Sequence, residues 1–310
     1  MMSVAAIVLI LALSPQCMAQ EYAGDGQTIG IGARALGMGS AYVAVSDDAT
    51  ALYWNPAGLA ESKTVEVQAQ HTEQFGGTVN HDVILGAVPS HLGVFALGLV
   101  RLGVDGIAQT RLEDPSSPLG PGNRPVESAT LGTTDYLLSF GYGRKINNQF
   151  SYGAVLKILW RNLSVGSGTG FGLDAGVQYR VAPRVRLGAN LRDATQTKVN
   201  FDSGASDTIS PTLDIGAAYQ QELMHLNGSL IVSASILLND SSSDADEARP
   251  LNIGLEFTHN HKLSAQLGLN KGHITAGLGL LPSDRFRVDA AFLEDGDLDN
   301  TYRLSASLYF

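Results

Sequence analysis

From Thr64 to Phe310 the chain repeats one pattern, runs of roughly ten residues in which every second side chain is apolar. Phe150, Tyr152, Ala154, Leu156, Ile158 and Trp160 fall on one face of an extended strand, and Ser151, Gly153, Val155, Lys157, Leu159 and Arg161 on the other. The same alternation runs through Phe171 to Tyr179, Leu251 to Phe257 and Tyr302 to Phe310. It predicts strands at 64–75, 81–89, 93–104, 135–145, 149–161, 170–180, 185–192, 210–220, 226–239, 249–259, 262–270, 272–280, 285–293 and 301–310, an even count of fourteen. Tight turns at Ser90-His91, Asn147-Asn148, Ala182-Pro183, Asn260 and Pro282-Ser283 all follow even-numbered strands. The longer, polar connections at 105–134, 193–209, 240–248 and 294–300 follow odd-numbered ones, with two short exceptions near 76–80 and at 271. Short turns at one end and long loops at the other are how outer-membrane barrels are built.

The stretch from Gln20 to Ser62 breaks the pattern. It is rich in Gly and Ala and carries turn and helix signals. Ser46 before Asp47-Asp48-Ala49-Thr50-Ala51-Leu52-Tyr53 predicts an N-capped helix whose first turn places two carboxylates at the positive end of its dipole. Asn55-Pro56 predicts its stop, since proline disfavours the α conformation in the residue before it. Ala35, Leu36, Met38 and Tyr42 predict one side of an earlier short helix. A fourteen-strand barrel encloses more space than its wall side chains fill. The segment is therefore expected to be the insert: Gly37, Gly39, Ala41 and Ala57 are small enough to pack against the wall, and Trp54 is large enough to anchor it.

Composition narrows the class. Charged residues are 16% of 310, against about 25% in a soluble domain. That low share, with 35 Gly, suits a large sheet with one face away from water. A net charge of −10 excludes a nucleic-acid partner, which needs a basic footprint. One cysteine gives neither a disulfide framework nor a thiolate metal site. The apolar run Val4 to Leu13, too short to span a bilayer, followed by Cys17 and Ala19 at the −3 and −1 positions, predicts a signal peptide over 1–19. It lacks the usual basic residue ahead of the run. The expected organisation is thus signal peptide 1–19, hatch 20–63 and barrel 64–310. The fold class is an all-β, fourteen-stranded antiparallel transmembrane barrel with a short, partly helical N-terminal hatch in its lumen. A soluble sandwich or propeller also alternates, but has shorter strands. Tyr136, Trp160, Tyr179, Tyr219, Phe292 and Tyr302, near the run ends, are placed to form interfacial girdles.

The inward faces carry Lys157, Arg161, Asp174, Arg180, Arg186, Arg192, Asp214, Glu256, Arg287, Asp289 and Arg303. Their first reading is pairing across strands and with the hatch, and their second is guidance of a substrate. Alternate carboxylates in Glu294 to Asn300 suggest a calcium loop, but the Gly at its sixth position and the Glu at its twelfth are missing, so a solvated acidic loop is expected. The glycine pairs at 30–32 and 37–39 lack the third glycine of a dinucleotide motif, and no G-x-S-x-G, P-loop or H-E-x-x-H occurs. No enzyme, metal or cofactor is expected.

Gly32-Ala33-Arg34-Ala35-Leu36-Gly37-Met38-Gly39-Ser40-Ala41, and then Asp47-Asp48-Ala49-Thr50-Ala51-Leu52-Tyr53-Trp54-Asn55-Pro56-Ala57-Gly58-Leu59, resemble the N-terminal region of the PorV/PorQ family and, more distantly, of FadL-type transporters of hydrophobic compounds. The resemblance implies a fourteen-stranded outer-membrane barrel among lipids and lipopolysaccharide. Trp54, Asn55, Pro56, Ala57, Gly58 and Leu59 would then be the hatch or gate. On the FadL side the hatch lets a hydrophobic small molecule pass to a lateral opening. On the PorV side the barrel works with type IX secretion machinery and cargo. A chain shorter than a typical FadL leans to the PorV/PorQ side.

Overall fold

The computed structural model describes residues 29–74, 77–164, 166–238, 251–294 and 300–310. The expected signal peptide, hatch residues 20–28, the whole 240–248 loop and the 295–299 core of the acidic loop lie outside them. The strands are β1 (Glu66–Gln74), β2 (Val79–Ser90), β3 (Gly93–Leu112), β4 (Pro125–Lys145), β5 (Phe150–Leu163), β6 (Gly166–Ala182), β7 (Val185–Arg192), β8 (Thr197–Phe201), β9 (Ser206–Ile209), β10 (Thr212–Leu223), β11 (Gly228–Leu238), β12 (Leu251–His259), β13 (Leu263–Asn270), β14 (His273–Ser283), β15 (Phe286–Leu293) and β16 (Thr301–Tyr309). All pairings are antiparallel, and the wall closes where β1 meets β16, with Glu66 opposite Tyr309. β7 and β8 both pair with β6, Leu191 opposite Ala175 and Lys198 opposite Phe171, so they are two halves of one wall strand. β9 and β10 pair with those halves in turn. Counted this way the barrel has fourteen strands, as the alternation predicts.

Burial along the strands inverts that of a soluble protein. In β1, Glu66, Gln68, Gln70, Thr72 and Gln74 are buried while Val67 is exposed. In β5, Ser151, Val155, Lys157 and Leu159 face in, and Tyr152, Leu156 and Trp160 face out. This is the arrangement of a wall with a filled polar lumen and an apolar exterior. Tyr179 and Tyr219 mark the end with the short turns, and Tyr136, Trp160 and Tyr302 mark the loop end, all on the exposed face. Phe292 packs beside Tyr302 with ring centres 5.6 Å apart. Leu156 lies midway between Tyr152 and Trp160 on the outward face of β5. Leu156→Arg is expected to cost about 2 kcal/mol of stability in lipid, read by denaturant titration in vesicles; a neutral effect would place this face away from the bilayer core.

Two expected loops are largely sheet. The stretch 105–134 is mostly a ribbon in which β3 and β4 run on beyond the neighbouring strands, Ile107 opposite Leu131 and Leu112 opposite Pro125, leaving a loop at 113–124. Both of its faces are exposed, so no apolar period marks it in the sequence. The stretch 193–209 holds β8 and β9, separated from β7 by a break at which Asp193 and Gln196 take positive φ of 51° and 58°. Non-glycine residues rarely adopt that conformation, and here buried side chains hold it.

Residues 29–63 fill the turn-end half of the lumen. They form α1 (Ala33–Gly37), α2 (Ala51–Trp54) and a 3-10 turn, Pro56–Glu61. The expected helix from Ser46 is shorter than its sequence signal. It begins only at Ala51, with Thr50 at the N-cap position and no side-chain cap. Asp47 binds Arg34 instead of the helix end, while Asp48 is shared between Arg34 and the N–H of Thr50, from which it accepts at 2.9 Å. The Asn-Pro stop acts as expected: α2 ends at Trp54, and Asn55 is extended.

Candidate functional site

Trp54 to Leu59 seat the hatch. The Trp54 indole donates to Ile31 O at 2.8 Å, and Asn190 of β7 donates to Trp54 O at 3.0 Å. The Asn55 amide donates to Val43 O within the hatch at 2.8 Å and to Val177 O of β6 at 3.1 Å, while its oxygen accepts from Ala57 N–H. One side chain thus closes the turn and ties it to the wall. Pro56 starts the 3-10 turn. It lies so close to Gly153 and Gly176 that a Cβ at either position would overlap the Asn55-Pro56 unit. Leu59 enters the space left by Gly141 and Gly143. On the far side Gly37 approaches Gly277, a Cβ on Gly37 falling 2.9 Å from Gly277 Cα. The wall is notched with glycine where the hatch touches it.

The hatch is bound differently on its two sides. Towards β2, β3 and β5 the contact is apolar: Ile31, Leu52 and Leu59 pack with Val83, Leu85, Val94 and Val155. Towards β12 to β16 polar ties are added to a smaller apolar cluster, in which Leu36, Met38 and Trp54 meet Ala291 and Leu293 of β15. Arg34 grips Glu256 with two bonds of 2.8 Å, Nε to Oε2 and Nη2 to Oε1, and reaches Asp47 at 2.7 Å and the Tyr42 hydroxyl at 2.8 Å. Ser305 and Thr275 bond the backbone at Ala33 and Gly37. Burial opposes the Arg34 charge, but Asp47 and Glu256 outweigh it and hold the guanidinium above its ordinary pKa. Burial pushes the Tyr42 phenol up, offset only in part by Arg34.

The other charges picked out by alternation sit on the inward face, mostly in pairs. Lys157 lies 2.8 Å from both Asp174 and Asp193. Asp193 N–H also donates to Asp174, so this trio holds the break between β7 and β8. Arg161 pairs with Asp135, and Arg287 with Asp289. Arg180 and Arg186 line the turn-end rim, Arg180 reaching Glu61 only at 4.0 Å. The Arg192 guanidinium stands 4.5 Å from the Tyr53 ring centre, and Asp214 is buried nearby on β10. Arg303 approaches His81 at 3.1 Å. The Nε atoms of Arg192 and Arg303 meet no acceptor among the described residues. No group of three or more His, Cys, Asp or Glu there is placed to hold a metal.

Sequence reasoning missed the hub role of Arg34, the tie from the Gln178 amide, which donates to Ser46 O at 3.0 Å, the tie from Asn190, and an apolar cluster. On the loop side of the hatch, Leu137, Leu159, Val199 and Ile209 form a buried cluster with Val100 and Phe201. Val100 packs against this cluster and also against the one that joins the hatch to β2, β3 and β5. Apolar contact therefore runs unbroken from this cluster to the hatch on that side. The signal present in the sequence was Val155 and Leu159 on a face otherwise carrying Lys157 and Arg161.

No protein-family model matches the chain, and neither does any curated protein. Solved structures do match in fold. The toluene transporter TbuX of Ralstonia pickettii aligns over 91% of this chain and 98% of its own, at 14% identity and a TM-score of 0.60. The toluene transporter TodX of Pseudomonas putida aligns over 90% and 97%, at 12% identity and 0.56. A FadL homologue of Pseudomonas aeruginosa aligns over 89% and 97%, at 11% identity and 0.55. The architecture is thus that of FadL-type barrels. The PorV/PorQ side of the resemblance rests on the hatch motif alone, and a chain covering 98% of TbuX gives the argument from shortness no support.

Proposed function

We propose that this chain is a bacterial outer-membrane barrel that passes hydrophobic small molecules inward past its N-terminal hatch. The observation that carries the reading is the unbroken apolar contact from the loop-side cluster, through Val100, to the hatch boundary with β2, β3 and β5. An apolar solute gains from each apolar surface it meets, and in a lumen lined elsewhere by Gln, Ser, Asp and Arg this is the side that would hold one. The opposite side adds the Arg34–Glu256 pair and the Ser305 and Thr275 ties to its apolar contact with Ala291 and Leu293, so a hatch that yields would yield first along the seam that has no such pair. The fold likeness to barrels described as toluene transporters agrees with this reading. Lys157, Asp174 and Arg161 then act as wall supports beside the apolar cluster rather than as ligands of the solute.

The test is entry of radiolabelled toluene into proteoliposomes. Leu159→Asp or Val199→Asp is expected to reduce it about tenfold or more, since a buried unpaired charge is costly, while the folded barrel keeps its heat-modifiable gel mobility. Uptake equal to that of empty liposomes, or unaffected by both substitutions, would overturn the reading. A second reading, a surface partner of secreted cargo, draws on the exposed ribbon formed by Ile107–Leu112 and Pro125–Leu131. Deleting the ribbon should then abolish co-purification of cargo and leave toluene entry unchanged.

A further inference from the structure

Beneath the hatch, at the turn end, lies a cavity of about 280 Å³ between α1, the Asp47–Thr50 turn and strands β1, β15 and β16. Its lining is out of electrostatic balance. Asp47, Asp48 and Glu66 line it, with Asp289 and, behind Arg34, Glu256. The buried cations facing these carboxylates are Arg34 and Arg287. Arg34 is shared among Asp47, Asp48 and Glu256. Arg287 is taken by Asp289 at 2.7 Å. Glu61 on the rim is drawn to Lys145 at 2.7 Å, and Lys63 is an exposed residue of the rim. Glu66, only 4% exposed, accepts a backbone N–H from Ala49 at 2.9 Å and has no cation in contact among the described residues.

A second observation points the same way. Gln68, the next inward residue of β1, is 7% exposed and lines the cavity, yet its Oε1 meets no donor among the described residues. A buried acceptor left without a donor is costly, as is a buried carboxylate without a countercharge. Both costs fall if the cavity receives a group that only donates and carries positive charge. Lysine-type ammonium and arginine-type guanidinium are such groups. A chelated metal is not, because no suitable ligand cluster exists among the described residues, and the space equals about nine water molecules at ~30 Å³ each, far more than a bare ion fills.

We infer that this cavity is a binding site for a small organic cation bearing a primary ammonium or guanidinium group, received from the turn end of the barrel onto Glu66, Gln68 and Asp47. The inference is independent of what crosses the lumen, since the cavity lies on the polar side of the hatch. Its occupant would neutralise the carboxylates that crowd Arg34 and so tighten the hatch on β12 and β16.

The test is calorimetric titration of the full barrel in detergent at neutral pH with cadaverine and guanidinium, using 1,5-pentanediol as the neutral control. Saturable one-to-one binding of a cation, at least tenfold weaker in Glu66→Gln and in Asp47→Asn, is expected, with the diol inactive. Gln68→Leu keeps the charge and removes the acceptor, so several-fold weakening is expected there; it serves where a carboxylate variant fails to reach the heat-modifiable folded form. Absence of binding by either cation, binding unchanged in all three variants, or equal binding of the diol would each overturn the site. So would a protonated-carboxyl infrared band present in the parent and lost in Glu66→Gln, found together with no amine binding, because a proton would then supply the missing charge.

Discussion

Gly153→Val is expected to unseat the Asn55–Leu59 turn and convert a closed barrel into a conducting one. Even a Cβ at this position overlaps the carbonyl of Pro56, which is backbone and cannot rotate away as a side chain would. The turn has no slack, because the Asn55 amide holds Val43 O and Val177 O at the same time. The wall cannot retreat either, since Gly153 is paired with Gly143 on one side and Gly176 on the other. Overpacking of this kind costs typically 1–3 kcal/mol and more where nothing can shift, and here the cheapest response is for the hatch to leave its seat. Planar-bilayer conductance should rise from near zero to discrete channel events, and amides of residues 54–61 should exchange far faster, while Ala154→Val on the outward face changes neither. Unchanged conductance together with unchanged exchange would show that the turn does not depend on the notch.

Arg34→Met should release the opposite edge of the hatch. Removing one partner from a buried charge network costs about 3–5 kcal/mol, because the carboxylates left behind have no countercharge, and Glu256, Asp47 and Asp48 all lose theirs at once. The loss should be local: amides around α1 open in hydrogen exchange, while those of β5 and β6 keep their protection. Adding Glu256→Gln to Arg34→Met should restore part of the loss, because it removes the most deeply buried of the stranded charges. A single-variant effect below about 1 kcal/mol would mean that the network behaves like a surface ion pair.

The wall was legible because its chemistry is one-dimensional. In β5 and β16 each residue's side follows from whether its neighbours are apolar, and the predicted ends fall within two residues of those observed. The β3–β4 ribbon escaped because both its faces meet solvent, which erases the period of two. The β8–β9 hairpin escaped because the break before it is held by Asp193 of the break itself with Lys157 of β5 and Asp174 of β6, which lie far from it in sequence. Hatch chemistry was the least legible. The Ser46-Asp47-Asp48 signal for a helix start is sound local reasoning, overridden by an arginine thirteen residues earlier in sequence. The residues opposite Arg34 and Asn55 lie more than a hundred positions away, a distance that no local pattern spans. The inward glycines stood in the sequence, but their meaning depends on knowing what presses against them.

The place where the wall closes also fixes an order of assembly. The hatch runs directly into β1, and β1 completes the cylinder with β16, the most C-terminal of these strands, down to a bond from Phe310 N–H to Val65 O. Ala33, near the start of the described chain, bonds Ser305, 272 positions later. Contacts so remote in sequence form late. The plug must therefore be resting in an open, curved sheet before the final seam zips beside it, and once that seam is made its retreat is blocked by the strand to which it is covalently joined. A chain stopped short of residue 301 should present residues 29–63 to proteases as an untethered tail.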